Sequence, residues 1–333
     1  MFLGIEIGGT KLQLAVGRGD GSPFEELIRL DVVARRGALG IRHDIVDVTR
    51  SLTRRHNIER LGIGFGGPVQ GDSGVVLTSH QIEGWTGFPL VEWCRQELDL
   101  NATLGNDCDV AALAEARFGA GRGRRIVLYV TVGTGIGGGL CVDGRIHGTF
   151  RPAATEIGHL RPGLAALDAH DTVESIASGR GIEAAAKSWI ASCLETGSAQ
   201  TTWYEGEAAE ARRLLERAGG SIEAVTTRHV ADAAGEGCAP AHHILNQAAQ
   251  TLGWAIAQAS TLIAPEVVIV GGGVSLMDAA LFFEPLKAAA RQYVFPALAD
   301  SFTIVPAALG EDVVVHGALA LAAAAQPRAQ EEV

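Results

Sequence analysis

The sequence predicts an α/β fold made of two similar halves. Three observations predict it: short apolar runs that stop at glycines, stretches of helical periodicity between them, and a strand–glycine turn–strand pattern near residue 5 that returns near residue 130. The chain has 333 residues, enough for two domains at roughly 100–200 residues each. A hydrophobic content of 47% against 20% charged residues supplies large buried cores. The 43 glycines gather in short runs flanked by apolar strands, as tight turns do and linkers do not.

FLGIEIGG reads as a buried strand stopped by glycines, and LQLAVGRGDG as its hairpin partner running into a Gly-Asp-Gly turn. Gly37 to His56 carries apolar residues at helical spacing (Leu39, Ile41, Ile45, Val46, Val48, Leu52). RLGIGFGGPV returns to strand and turn, and Pro89 to Leu98 predicts a short helix. Asp107 to Phe118 predicts a strong one, rich in Ala and Leu, with acidic residues in the first turn where the helix dipole favours them. RRIVLYVTVGTGIGGGLCVDGRIHG reads as strand, glycine turn, strand, with a hairpin turn at Asp143-Gly144. Val173 to Thr261 is largely helical, broken near Gly219 and Gly235. APEVVIVGGGVS is a further strand, Ala279 to Tyr293 a helix, FTIVPAALG a last strand, and Val313 to Ala325 an Ala-rich closing helix before a frayed tail.

A net charge of −11 argues against nucleic-acid partners, which select for a basic face. The cysteines (Cys94, Cys108, Cys141, Cys193, Cys238) form no CxxC pair, which predicts small buried thiols in a reducing cytoplasm. No run approaches the ~18 apolar residues of a membrane span, and no signal sequence opens the chain.

IEIGGTK, GFGGPV, TVGTGIGGG and IVGGGVS each place a glycine turn after a strand. Turns without Cβ atoms let backbone N–H groups approach a phosphate, so the set predicts nucleotide binding. Gly133 to Gly138 also satisfies GxGxxG. The dinucleotide fingerprint needs a helix after that turn, however, and here GLCVDGRI continues as strand, which excludes the dehydrogenase reading. No Walker-type GxxxxGK[ST] is present, and Lys11 sits in a hairpin turn instead.

Taken together, these residues resemble the ROK family of sugar kinases, a branch of the hexokinase–actin–Hsp70 superfamily, over nearly the whole chain. IEIGGTK resembles its first phosphate motif, GNDCDVAALAE its catalytic segment and TVGTGIGGG its second phosphate motif. EIGH (Glu156 to His159) resembles its sugar signature, VESIASGRGI the helix that follows, VVIVGGGVS its adenosine motif and GEDVVVHGAL its closing helix. The resemblance implies two actin-like (ribonuclease H-like) domains with a cleft between them. The smaller would be residues 1–110 closed by the helix 313–326, the larger 111–312, with 327–333 a frayed tail. It implies Asp107 as the base, with Asn106, Gly66, Gly67, Glu156, His159 and Glu174 around the sugar. Gly8, Gly9, Thr10, Lys11, Gly133, Thr134 and Gly135 would meet phosphate, and Gly271, Gly272 and Gly273 would border the adenosine. ATP and Mg²⁺ are the implied cofactors and a homodimer the implied assembly. The independent physical ground for Asp107 is its place at a helix start, where a carboxylate is held rigid and its charge stabilised.

The chain departs from the family at three places. Glu6 stands where the family has Asp, and is expected to keep a water-mediated role at Mg²⁺. The stretch LRPGLAALDAHDTV lacks the cysteines of the family's zinc loop. Asp168, His170 and Asp171 make a poor thiolate-free substitute, so no structural zinc is expected. Ser79-His80-Gln81-Ile82-Glu83-Gly84-Trp85 replaces the usual SPN-x-x-GW, so the acceptor could be glucose or an amino sugar such as kanosamine. The rival reading is a sugar- or nucleotide-binding sensor without catalysis. A DNA-binding repressor is disfavoured because only five residues precede Glu6.

Overall fold

The computed structural model describes residues 1–79, 81–149, 151, 153–164, 166–195 and 206–325, with the side chain of Glu195 also left aside. His80 and the expected tail 327–333 lie outside the described residues. The elements are β1 (Phe2–Ile7), β2 (Lys11–Gly17), β3 (Glu26–Asp31), α1 (Gly37–Thr53), β4 (Arg60–Phe65), β5 (Val69–Gln70), β6 (Val75–Val76), α2 (Leu90–Leu98), β7 (Ala102–Asn106) and α3 (Asp107–Phe118). There follow β8 (Ile126–Val132), β9 (Ile136–Val142), β10 (Arg145–Ile146), α4 (Val173–Ala177), α5 (Gly179–Glu195), α6 (Glu207–Arg217), α7 (Thr227–Gly235), α8 (Ala239–Ile263), β11 (Val267–Gly271), α9 (Phe283–Tyr293), β12 (Thr303–Pro306) and α10 (Val313–Ala324).

The chain divides into two compact units: Met1–Tyr129 with Gly139–Thr155 and Ala307–Val333, and Val130–Gly138 with Glu156–Pro306. A boundary at 110, as expected above, would cut through α3, whose continuous hydrogen-bonded backbone keeps it whole in the first unit.

In the first unit a sheet runs β3-β2-β1-β4-β7, with β1 antiparallel to β2 and parallel to β4, and β4 parallel to β7. Alternation along β1 decides what covers each face. Leu3, Ile5 and Ile7 join a core with Ala38, Ile41, Ile45 and Leu52 of α1 and Leu90 and Cys94 of α2. The alternate positions, Gly4 and Glu6, face the other way, and over Gly4 α10 lies so close that a side chain has no room. A Cβ on Gly4 would fall 2.8 Å from the Val315 carbonyl oxygen, and one on Gly62 would fall 1.8 Å from that of Ala318. Glu115 of α3 is fully buried. Its Oε1 accepts from the N–H groups of Ala308 and Leu309 at 2.9 Å and its Oε2 from Ala120 at 2.8 Å, which ties α3 to the segment leading into α10.

The second sheet has the order β10-β9-β8-β11-β12. The second unit also holds α4 to α9. The 25-residue α8 is the longest described helix and packs against α9.

Four strands were not anticipated: the two-residue β5 and β6, and the longer β3 and β7. ELIRLD (β3) is a half-exposed edge with charges at Glu26, Arg29 and Asp31, so its alternation is blurred. ATLGN (β7) is short and runs into α3 without a loop. The expected helix from Ala279 begins at Phe283, because Asp278 turns the chain first: its carboxylate accepts from Ala280 N–H at 2.8 Å. Cys94, Cys108 and Cys141 are buried as expected, and burial pushes the Cys94 thiol up to about 12.

Gly62→Ala is expected to destabilise the chain by about 2 kcal/mol or more, since the obstacle is backbone and cannot rotate away. Urea unfolding compares it with wild type, and an unchanged midpoint would contradict the close approach.

Candidate active site

In the first unit β7 ends at Asn106 and α3 begins at Asp107. Asn106 has extended backbone and caps the helix. Its Oδ1 accepts from the N–H of Cys108 at 2.8 Å and of Asp109 at 3.4 Å, while Nδ2 donates to the Gly67 carbonyl at 3.0 Å. Asp107 Oδ1 accepts from Cys108 N–H at 2.9 Å. A Cβ on Gly66 would lie 3.4 Å from Asp107 Oδ2, so the Gly66-Gly67 turn passes directly over the carboxylate. Asn106, Asp107, Gly66 and Gly67 are therefore brought together, with the carboxylate charge at a helix N-terminus.

The β1–β2 turn stands beside them. Gly66 N–H donates to the Ile7 carbonyl at 2.8 Å, and Gly8 N–H to that of Lys11 at 2.9 Å. Glu6 is buried at the end of β1, with Lys11 Nζ 3.2 Å from its Oε1 and Gln13 Nε2 donating to its Oε2 at 3.0 Å. Lys11 also donates to the Glu311 carbonyl at 3.2 Å. Arg29 donates to Gln13 Oε1 at 3.2 Å and to both Asp312 oxygens at 2.8 and 3.0 Å. Burial raises the Glu6 carboxyl to about 7 against the pull of Lys11, and the Asp107 charge pushes the same way.

In the second unit the turn after β8 closes on itself, Gly133 N–H donating to the Gly135 carbonyl at 2.9 Å, and the Gly133 carbonyl accepts from Gly179 N–H at 2.8 Å. Glu174 of α4 reaches this turn and accepts from Ile136 N–H at 2.7 Å. Glu156 opens the short turn Ile157–His159, and His159 is exposed. Leu160, just beyond, accepts from Val173 N–H at 2.8 Å, which sets the EIGH turn against the start of α4. Gly272 takes φ +88°, and a Cβ there would fall 2.5 Å from the Val132 carbonyl oxygen. Gly133, Thr134 and Gly273 line a cavity of about 1000 Å³, with Arg180, Thr227 and Asp278 on its other walls.

The divergent segment has two anchors, Ile82 and Trp85. Trp85 is buried and packs edge-to-face on Phe65 and Phe88. Gln81 lies on the β1–β2 turn, since a Cβ on Gly9 would overlap its Oε1. Glu83 is exposed and uses its carbonyl to accept from Ala38 N–H at 2.8 Å. In the loop that replaces the zinc segment, Asp168 and Asp171 accept from backbone N–H groups. Among the described residues no cluster of three His, Cys, Asp or Glu is placed to hold a metal ion.

Sequence reasoning missed Gln13, which donates to Glu6, and Arg29, Glu311 and Asp312, which join it through Gln13 and Lys11. The available signal was Gln13, a polar residue inside the apolar strand KLQLAVG. A buried polar side chain in such a run needs partners.

The family model for ROK matches residues 2–325. The chain belongs to the ROK family. It is 29% identical to a glucokinase of Halalkalibacterium halodurans, covering 95% of this chain and 93% of the relative, and 26% identical to a glucokinase of Thermotoga maritima, covering 96% of each. The crystal structure of a ROK family glucokinase from Streptomyces griseus in complex with glucose and AMPPNP is similar at TM-score 0.77 and 29% identity, over 96% of this chain and 98% of that one. The ROK assignment, the two-domain actin-like α/β fold and the sugar-kinase class of enzyme are thereby borne out.

For this ROK chain the Glu6 environment has a consequence for stability. The native carboxyl keeps its proton between the unfolded value of 4.5 and about 7, while the unfolded chain has released it. Its contribution is therefore full below pH 4.5 and lost as pH rises through about 7. Wild type is expected to lose about 3 kcal/mol more than Glu6→Gln across that window. Denaturant titrations at stepped pH in metal-free buffer measure this, and parallel curves would contradict it.

Proposed function

We propose that this chain transfers the γ-phosphoryl group of ATP to the C6 hydroxyl of glucose, with Asp107 as general base. The observation that carries the reading is Asp107 itself, a carboxylate fixed at the start of α3 by Asn106 and roofed by the Gly66-Gly67 turn. Phosphoryl transfer has a loose transition state, so an enzyme contributes mainly position and charge. In the proposed step Asp107 accepts the hydroxyl proton as the sugar oxygen bonds to the γ-phosphorus. The bond from that phosphorus to the bridging oxygen breaks, and ADP leaves with the electron pair.

Asn106 positions the base and the Gly66-Gly67 backbone rather than acting on the proton. Glu156 and His159 would bind sugar hydroxyls. Glu174 would add its second carboxylate oxygen to them while the first holds the Ile136 N–H. Gly133, Thr134 and Gly135 would receive phosphate oxygens, and the cavity of about 1000 Å³ bordered by Gly273 is of a size to take the adenosine. Gly8, Gly9, Thr10 and Lys11 of the first unit would also meet phosphate.

Glu6 offers a buried hard oxygen donor beside a second carboxylate, a donor set that suits Mg²⁺, and would hold it through water. Bound there, the ion would neutralise charge on the phosphate oxygens.

Glucose is favoured by the names of the relatives. In the segment that raised the kanosamine alternative, Glu83 has an exposed side chain and its carbonyl accepts from Ala38 N–H at 2.8 Å.

Asp107→Asn is expected to lower kcat by about 10²-fold or more, with a smaller change in the sugar KM. Coupled ADP release measures it, and turnover near wild type removes Asp107 from the mechanism. In a panel of glucose, mannose, N-acetylmannosamine, glucosamine and kanosamine with ATP and Mg²⁺, glucose is expected to give the highest kcat/KM. Sugar binding without ADP release for any member would favour the sensor reading instead.

A further inference from the structure

The first unit contains a second cavity of about 560 Å³ that Asp107, Gly66 and Gly67 do not line. One wall is a single face of α3, carrying Asp109, Leu113 and Arg117 at four-residue spacing. Arg145 of β10 and Arg151 beyond it form another part of the lining, and the end of α10 contributes Leu321. On a chain whose net charge is −11, this lining sets three arginines against one aspartate.

The arginines differ in how they are held. Arg117 donates from Nε and Nη2 to the Gly144 carbonyl at 3.3 and 2.9 Å, which fixes the plane of its guanidinium. Arg145 and Arg151 are exposed and enter no ion pair among the described residues. Elsewhere exposed arginines do find carboxylates, as Arg125 does at Asp143 and Arg29 at Asp312. Keeping three planar donors at one cavity has a cost in mutual repulsion, which a bound anion removes. A phosphate monoester carries a charge approaching −2 near neutral pH and presents three acceptor oxygens, so it balances the net surplus of this lining. The volume lies in the ~300–1000 Å³ range of small-molecule sites and leaves room for a hexose-sized body beside the phosphate. The Thr103 and Thr149 residues supply hydroxyl partners for such a body.

We propose that this arginine-lined cavity is a binding site for a sugar phosphate, which shares Asn106 with the residues assigned to the acceptor sugar but is not lined by Asp107, Gly66, Gly67, Glu156, His159 or Glu174. A ligand there would touch Asn106 and the α3 face below it, and so would bear on the element that carries the base.

Isothermal titration of the full chain with glucose 6-phosphate, in the presence of saturating glucose, tests the proposal. One equivalent is expected to bind, with unchanged affinity in Asp107→Asn. Arg145→Ala and Arg151→Ala, both at exposed positions, are expected to weaken it by about 10-fold or more each. Arg145→Lys, which keeps the charge without the planar fork, is expected to lose less. Titration with inorganic phosphate is expected to give weaker binding, because the hexose body is missing. The proposal is overturned if wild type binds nothing, if glucose displaces the ligand, if the arginine variants bind as wild type does, or if inorganic phosphate binds equally well. The readout is binding and not turnover, so failure here leaves the kinase reading standing, and failure of turnover leaves this one standing.

Discussion

The first unit depends on backbone lying against backbone. α10 can rest on β1 and β4 only because Gly4 and Gly62 present no Cβ to the carbonyls of Val315 and Ala318. The opposite face of the same strands packs large aliphatic side chains against α1 and α2. This asymmetry makes the sheet a thin layer on one side and a deep core on the other. It also fixes the height of α10 above the strands, and with it the place where Glu311 and Asp312 meet the end of β1. Glu115 adds a second tie, because one buried carboxylate satisfies three backbone N–H groups from two separate stretches of chain.

That placement lets a polar chain, buried at Glu6 and Gln13, form where an apolar sheet would otherwise continue. Asp312, Arg29, Gln13, Glu6 and Lys11 link side chain to side chain across β3, β2 and β1. Each has a partner, so the network satisfies the condition under which buried polarity is tolerated. Glu6 remains costly to ionise because desolvation exceeds what Lys11 returns. The longer Glu side chain, in place of the family's Asp, thus sits in a site whose charge state is sensitive near neutrality.

Much of this was legible because backbone demands show in the sequence. A turn that must approach a neighbour uses glycine, as at Gly66 and Gly272, and a helix start carries acidic residues, as at Asp107 and Asp109, although the cap itself is Asn106. The order of the motifs then carried the family. What stayed hidden was long-range partnership. Glu115 reads as one more helix residue, and nothing local in it announces bonds to Ala308 and Leu309. β3 was missed because an edge strand alternates weakly, and β7 because its five residues run straight into α3. The two compact units differ from the contiguous boundary read from the sequence, because the chain crosses between them more than once.

Glu174 has a wider meaning than its single hydrogen bond suggests. It joins α4 to the glycine turn at Ile136, and the residue before it, Val173, joins α4 to the end of the EIGH turn through Leu160. Two loops with different intended ligands are thus hung on adjacent positions of one short helix. A shift of that helix by a fraction of an ångström would reach both. On the proposed assignment of sugar to the EIGH turn and phosphate to the glycine turn, affinities for the two would be mechanically linked, and selection for a new acceptor would drag donor affinity along with it.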